Sequence, residues 1–121
     1  MGPRALRSCC LAFAGAGEEF PFGPNTSVFK VESKLFALSA LTSRPLKISL
    51  KCEPALAEGL RESYRAITEG YHLNKRHWNT VVLDGSLPDK LVRDMIEDSY
   101  DLVVAGLSRA AQDRLGWNPV D

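Results

Sequence analysis

The sequence predicts an α+β fold, with an antiparallel β-sheet and helices packed on one face of it, in a single domain covering residues 1–121. Apolar residues recur at helical spacing in three separate segments, and strand-like runs fill much of the chain between them. A chain of 121 residues has the length of one domain, which buries roughly two-thirds of the surface of its unfolded chain. The protein is therefore expected to carry a core of its own.

The first predicted element is an amphipathic helix near the N-terminus, in which Leu6, Cys9, Cys10 and Phe13 recur at helical spacing. Basic residues precede this apolar run, as they do in a secretory signal, but the run is short for one. We therefore favour a helix that packs on the core. The cysteines show no C-x-x-C spacing and are odd in number, so we expect reduced, buried thiols and a cytoplasmic protein.

A turn-rich segment follows, with glycine and proline spread over residues 15–24. Phe20 and Phe22 are its candidate anchors into the core. Two β-rich runs, residues 27–32 and 34–41, come next and predict a hairpin. Because the connection lacks glycine, we expect a turn longer than two residues.

The next strand, residues 46–52, alternates strictly between apolar and polar side chains. Its predicted core positions are Ile48, Leu50 and Cys52, and its other face carries Lys47, Ser49 and Lys51. Lysines on a solvated strand are often only solubility devices or edge protection. This basic row therefore bears on function only if further cations lie beside it.

A helix is predicted from Pro54, which suits a first helical position, to about Tyr64. Its apolar stripe is Leu56, Ala57, Leu60 and Tyr64. Arg61 and Arg65 lie toward its end, where cations complement the negative pole of the helix dipole. We interpret these two arginines first as capping charges and second as phosphate contacts.

One long C-terminal helix is predicted after a strand at residues 77–83. Ser86 and Asp89 resemble a capping box at its start, and Gly116 and Pro119 are expected to end it. Its apolar stripe is Val92, Ile96, Tyr100, Val103 and Leu107.

Functional side chains are densest between Gly70 and Thr80, in the run Gly-Tyr-His-Leu-Asn-Lys-Arg-His-Trp-Asn-Thr. Lys75 and Arg76 supply positive charge, and Asn74 and Asn79 supply paired amide donors and acceptors. The segment is too polar to be helical, and a loop on a rigid scaffold is the usual place for recognition.

The two aromatic residues of this run, Tyr71 and Trp78, provide flat faces on which bases can stack. Large aromatics are more often core anchors with a polar tip at the surface. For Trp78 we favour the core, because in the predicted strand it shares a side with Val82.

The Gly70–Thr80 run is followed by Val-Val-Leu-Asp-Gly-Ser-Leu-Pro-Asp at 81–89 and by Ser-Tyr-Asp-Leu-Val-Val at 99–104. Upstream lie Glu-Phe-Pro-Phe-Gly-Pro at 19–24, Val-Phe-Lys-Val at 28–31 and Ser-Leu-Lys-Cys at 49–52. In these runs, which extend over nearly the whole chain, the sequence resembles the MmcQ/YjbR family of small bacterial proteins. That family is described as DNA-binding, so the resemblance implies a double-wing, CyaY-like fold and DNA as a partner.

Composition and motifs argue against several other functions. The 15 basic and 15 acidic side chains balance, although residues 20–84 hold 9 basic and 6 acidic side chains whereas residues 85–121 hold 4 and 7. His72 and His77 are not spaced as a helical zinc pair, and motifs for a nucleophile or a phosphate-binding loop are missing. We expect no enzymatic activity, no metal, no cofactor and no membrane span.

Two functions remain open from the sequence. In the first, the protein binds DNA through the basic strand face and the Gly70–Trp78 loop. The expected nucleic-acid-binding residues are Lys47, Lys51, Lys75 and Arg76 on phosphates and His72, Asn74 and His77 near base edges. In the second, a non-catalytic adaptor domain uses the same loop to bind a protein or a small ligand. We favour DNA and a monomer, and expect the loop cations to lie beside the strand lysines.

Overall fold

A computed structural model describes residues 1–70 and 73–118, which form a six-stranded sheet with helices on one face. The helices are α1 (Pro3–Leu11), α2 (Pro54–Ser63), α3 (Asp89–Ala105) and α4 (Arg109–Leu115). The strands are β1 (Ala16–Glu19), β2 (Ser27–Val31), β3 (Lys34–Ser39), β4 (Lys47–Lys51), β5 (Ile67–Glu69) and β6 (Trp78–Val82). Every neighbouring pair in the order β1-β2-β3-β4-β6-β5 is antiparallel. The predicted fold class is confirmed.

The core lies between the sheet and the helices. α3 crosses β2, β3 and β4, while α2 lies against β5 and β6, and α1 against β1. Ile48 and Leu50 of β4 are buried on this face together with Ile96 of α3. Full burial of one such side chain contributes about 1.5–3 kcal/mol. The apolar spacing of α3 therefore fixes which face of the sheet is covered.

Tyr100 joins α3 to the connection between α1 and β1. Its ring stacks on Phe13 at a centroid distance of 4.7 Å and meets Phe36 edge-on at 5.4 Å. Its hydroxyl donates a hydrogen bond of 2.6 Å to the carbonyl oxygen of Ala14. The hydroxyl is thus satisfied although the side chain is almost fully buried.

Ser99 of α3 bridges the place where β3 and β4 separate. The pairing of these strands stops at Ala37 and Leu50. Beyond that pair, the Ser99 hydroxyl donates to the Phe36 carbonyl at 2.6 Å and accepts from the Lys51 N–H at 2.8 Å. A fully buried side chain therefore replaces a missing step of the ladder, as buried backbone groups require.

The prediction for the turn-rich segment was wrong in two respects. Ala16–Glu19 forms the edge strand β1, and the phenylalanines do not anchor the core, because Phe20 is 50% exposed and Phe22 is 72% exposed. Both follow β1 in its connection to β2. A second short edge strand, β5, was also missed, since three residues are too few to show a period.

The hairpin turn between β2 and β3 is shorter than expected. Val31 pairs directly with Lys34, which leaves two residues, Glu32 and Ser33, with φ of 48° and 67°. Positive φ at both central positions gives the twist that two-residue hairpins favour, although glycine or asparagine usually occupies them. The Glu32 carboxylate accepts a hydrogen bond from Arg114 of α4.

The predicted C-terminal helix is two helices. α3 ends at Ala105, and the Ser108 hydroxyl starts α4 by accepting a hydrogen bond of 3.1 Å from the Ala111 N–H. The capping box was also wrong, since α3 has no side-chain cap at its start and Ser86 N–H donates to Asp84. Gly116 ends α4 with φ of 68°, as expected, whereas Pro119 lies outside the described residues.

Candidate nucleic-acid interface

The open face is the face of the sheet opposite the four helices described above. On β4 it carries Lys47, Ser49 and Lys51, which pair with Val82, Thr80 and Trp78 of β6. Lys47 is exposed and Lys51 is half-buried. Four residue steps along a strand separate the two lysines by about 13 Å, close to the roughly 12 Å width of the DNA major groove. The predicted alternation of β4 is confirmed.

Hydroxyl groups occupy the middle of the open face. Ser49 is 5% exposed and Thr80 is 8% exposed, and their hydroxyl oxygens lie 3.0 Å apart in a hydrogen bond. They border a depression of about 330 Å³ that also reaches Lys47, Thr68 and Glu69. The two hydroxyls are therefore satisfied within the protein, and the exposed polar side chains that border the depression include Lys47, Thr68 and Glu69.

Trp78 lies half-buried on the open face, directly across from Lys51. It does not belong to the core cluster of the described residues, so the core-anchor interpretation of this residue was wrong. The reason is its register, because odd-numbered positions of β6 face the helices and even-numbered positions face away. A flat ring and a cation thus stand side by side at one end of the sheet.

Gly70 brings the ends of the loop together. Its N–H donates to the Trp78 carbonyl at 2.9 Å, and a Cβ added at this position would lie 2.7 Å from the Cβ of Trp78 and 3.0 Å from its carbonyl oxygen. Glycine is therefore required here by close backbone approach. The loop that follows begins beside the Trp78–Lys51 pair.

Asn74 shapes the loop from within. Its side-chain oxygen accepts hydrogen bonds from the Arg76 N–H at 2.9 Å and the His77 N–H at 3.3 Å, the pattern of an Asx turn. The carbonyl of His77 then accepts from the Cys52 N–H at 2.7 Å. Asn74, expected near base edges, thus has its side-chain oxygen engaged inside the protein.

The loop is tied to α2 through the buried amide of Asn79, a group that the sequence led us to expect within reach of a base. Asn79 is 2% exposed. It donates from Nδ2 to the Ala57 carbonyl at 3.3 Å, and its Oδ1 accepts from Arg61 at 2.8 Å. Arg61 also donates to the carbonyl of Lys75 at 3.4 Å. A polar residue at a core-facing strand position was the signal that could have revealed this anchor.

The predicted cations do not all point the same way. Lys75 is exposed, and its Nζ donates to the Gly70 carbonyl at 3.4 Å, which keeps it at the sheet end that carries Lys51. Arg76 instead borders a crevice of α2 that is also lined by Glu53 and Glu58. The cations are therefore divided between the open face and the rim of α2.

Two predicted site residues remain, and one of them, His77, lies within the described residues. His77 is half-buried in the turn that precedes β6. His72, expected near base edges, and Tyr71 lie outside the described residues.

The thiols lie in surroundings that favour the protonated form. Burial raises the pKa of Cys10 to about 12, with smaller contributions from Cys9 and Glu18. Burial also raises the pKa of Cys52, followed by the nearby carboxylates of Asp98 and Glu53. Thiolate is the nucleophilic and metal-binding form of cysteine, so neither site activates its sulfur at neutral pH.

The described part of the chain has neither a cluster of metal-binding side chains nor a helix suited to a membrane. Between residues 1–70 and 73–118, no group of three or more His, Cys, Asp or Glu side chains is arranged to hold a metal ion. In the same ranges, no helix combines the length and the apolar character that crossing a membrane requires.

Comparison with known proteins gives consistent matches. A family model described as YjbR matches residues 11–102. The uncharacterized protein YbdF of Escherichia coli O157:H7 is 40% identical over 96 residues, which cover 79% of each chain. The uncharacterized protein YjbR of Escherichia coli K12 is 39% identical over 99 residues, covering 82% of this chain and 84% of the relative.

Solved structures agree with this sequence similarity. A crystal structure of a Deinococcus radiodurans protein with a DUF419 domain superposes with a TM-score of 0.90 and 41% identity, covering 97% of this chain and 89% of the other. A crystal structure of a Pseudomonas syringae protein gives a TM-score of 0.73 and 28% identity, covering 84% of this chain and 98% of the other.

Proposed function

The chain belongs to the YjbR family, and from this premise we propose that it binds duplex DNA through the open face of its sheet and the adjoining Gly70–Trp78 loop. The observation that carries the proposal is the pair formed by Lys51 and Trp78, directly opposite each other on the face away from the helices. A cation beside an aromatic ring is a common element of nucleic-acid contact. The description of the MmcQ/YjbR family as DNA-binding also supports DNA as the partner.

In this proposal the lysines of the open face and the loop neutralise phosphates. Lys47 and Lys51 stand about 13 Å apart along β4, which lets them contact the backbones on either side of a groove. Lys75 adds a third charge at the Lys51 end. The hydroxyls of Ser49 and Thr80 between the strand lysines are already paired with each other, and the half-buried Trp78 supplies ring contact at the Lys51 end.

Arg76 contributes least in this arrangement, because it shares its crevice with two carboxylates of α2. Phosphate must compete with Glu53 and Glu58 for this guanidinium. We therefore assign the principal phosphate contacts to the three lysines. His72 and His77 keep their proposed place near the bases, whereas Asn74 contacts a base only through its Nδ2 donor, because its side-chain oxygen is engaged within the loop.

The overall charge balance sets the expected strength of binding. With 15 basic and 15 acidic side chains, the protein lacks the general attraction of a strongly basic domain. Three phosphate contacts give a log-log salt slope of about −2.7, at about −0.9 per phosphate. We propose weak to moderate, salt-sensitive binding by a non-catalytic, monomeric protein of the cytoplasm.

The test is fluorescence anisotropy of labelled duplex DNA over a series of salt concentrations, with the wild-type protein and the Lys51→Ala, Lys75→Ala double variant. Because this variant loses two phosphate contacts, the slope should become shallower by about 1.8 and affinity should fall for all sequences alike. The matched control is Lys90→Ala with Arg109→Ala. It removes the same charge from exposed helix positions and should leave the slope nearly unchanged.

Circular dichroism and thermal melting establish that both variants are folded. Equal losses of affinity in the two double variants would mean that only total charge matters. No measurable binding by the wild-type protein at low salt, or an unchanged slope in the Lys51→Ala, Lys75→Ala variant, would reject this DNA interface and favour the adaptor function of the loop.

A further inference from the structure

A second surface lies on the helix side of the domain, between the start of α2 and the C-terminal half of α3. It is a groove of about 480 Å³. Its apolar lining comes from Leu56, Leu102 and Trp117, and its acidic lining comes from Glu53, Asp98 and Asp101. Because this groove and the open face lie on opposite sides of the sheet, both can be occupied at once.

The groove exposes apolar surface. Leu56 is 46% exposed and Leu102 is 36% exposed. The other large hydrophobic side chains of comparable exposure in the described chain are Phe20, Phe22 and Tyr64, and none of these lines the groove. Two exposed leucines converging on one groove with a tryptophan form a local apolar patch, which is a feature of interaction sites.

The sequence of α3 builds one wall of this groove. Asp98, Asp101, Leu102 and Ala105 all line it, and their spacing of i, i+3, i+4 and i+7 places them on one side of the helix. The core stripe of α3 includes Ile96 and Val103 and faces the sheet. α3 therefore has a second stripe, partly apolar and partly acidic, that no other described element covers.

The groove has a strong excess of negative charge. Neither lysine nor arginine lines it in the described chain. Burial raises the pKa of Asp98, followed by the negative charges of Asp101 and Asp94. The indole N–H of Trp117 donates to Asp101 at 3.0 Å, which orients that carboxylate without neutralising it. A cation placed here would relieve the repulsion between the carboxylates.

We propose that this groove binds a cationic amphipathic helix of a partner protein, with apolar side chains of that helix on Leu56, Leu102 and Trp117 and its Lys or Arg side chains on Asp98 and Asp101. The charge of the groove selects this occupant. A wall formed by i, i+3, i+4 and i+7 positions matches the spacing at which a helix presents its own anchors. A second copy of this chain is less suited, because its own groove is acidic as well.

The proposal is tested with a labelled peptide of about 18 residues, long enough to form a helix, that carries leucine at i, i+3, i+4 and i+7 and lysine elsewhere. Fluorescence anisotropy measures its affinity, and NMR amide and indole shifts of the full-length protein locate it. Binding should shift the Trp117 indole resonance and the amides of residues 98–105. A scrambled peptide of equal composition and a leucine–glutamate peptide should each bind at least tenfold more weakly.

Protein variants separate the apolar and acidic contributions. Leu56→Gln with Leu102→Gln should weaken binding of the peptide at least tenfold, whereas Phe20→Gln with Phe22→Gln removes more exposed apolar side chains elsewhere and should leave affinity unchanged. Asp98→Asn should weaken binding about threefold to tenfold and reduce its salt dependence. Glu97→Gln removes the same charge from the neighbouring position of α3, outside the groove, and should have less than a twofold effect.

Several outcomes would overturn the proposal. These are equal binding of the scrambled or the acidic peptide, no binding of the leucine–lysine peptide, or shifts centred on another surface. Concentration-dependent self-association in sedimentation, abolished by Leu56→Gln with Leu102→Gln, would also overturn it by assigning the groove to a second copy of the chain.

Discussion

The two faces of β4 differ in how their residues become buried, although the residues alternate along the same five-residue strand. On the helix face, Ile48 and Leu50 are buried by apolar contact with α3. On the open face, Ser49 is nearly as inaccessible, but the neighbouring strand and a hydroxyl pair account for its burial. One face of β4 therefore supplies stability by burying apolar area, whereas on the other face the hydroxyl groups between the two lysines satisfy each other.

The largest expected effect concerns the helix face. Ile48→Ala removes a fully buried side chain and should lower the free energy of unfolding by about 3–4 kcal/mol, and Ile48→Val by about 1 kcal/mol. Urea denaturation with an unchanged m-value measures both. Lys47→Ala, one position away on the open face, is the control and should change stability by less than about 0.5 kcal/mol. Similar losses of unfolding free energy in Ile48→Ala and Lys47→Ala would show that the two faces of β4 contribute equally to stability.

A smaller loss of unfolding free energy is expected when the buried hydroxyl of Ser99 in α3 is removed. Ser99→Ala should lower the free energy of unfolding by about 2–3 kcal/mol, because the Phe36 carbonyl and the Lys51 N–H both lose their partner. Ser8→Ala in α1 changes an exposed serine and should be nearly neutral. Hydrogen exchange offers a second measurement, since the Lys51 amide should lose protection. A protected Lys51 amide in a fully stable Ser99→Ala variant would show that the bridge is dispensable.

The smallest expected effect on stability concerns the hydrogen bond between Ser49 and Thr80 on the open face. In a double-mutant cycle of Ser49→Ala and Thr80→Val, the two hydroxyls should show a coupling of about 1 kcal/mol, as expected for one hydrogen bond between partly shielded neutral groups. Denaturant midpoints of the four proteins measure it. Strict additivity would mean that the contact contributes nothing beyond the separate packing of each residue.

The candidate DNA site was predicted in part. The alternation of β4 correctly placed Lys47 and Lys51 on one face, whereas the close approach of Gly70 to Trp78 was not predicted. The direction of Arg76 and the roles of Arg61 and Asn79 were not predicted. Their partners lie in other elements, and no spacing rule connects a strand asparagine to the carbonyl of Ala57 in a helix.

Local patterns determined the fold class, α1, α2, the end of α4 and which side chains of β4 share a face. Each of these depends on residues two to four positions apart. The tertiary structure alone decided the short edge strands, the division of the last helix and the exposure of Phe20 and Phe22. It also decided the hydrogen bonds of Arg61 with Asn79, 18 residues away, and of Ser99 with Phe36, 63 residues away. Such contacts form only when packing brings distant segments together, since desolvation then obliges each buried polar group to take whichever partner lies beside it.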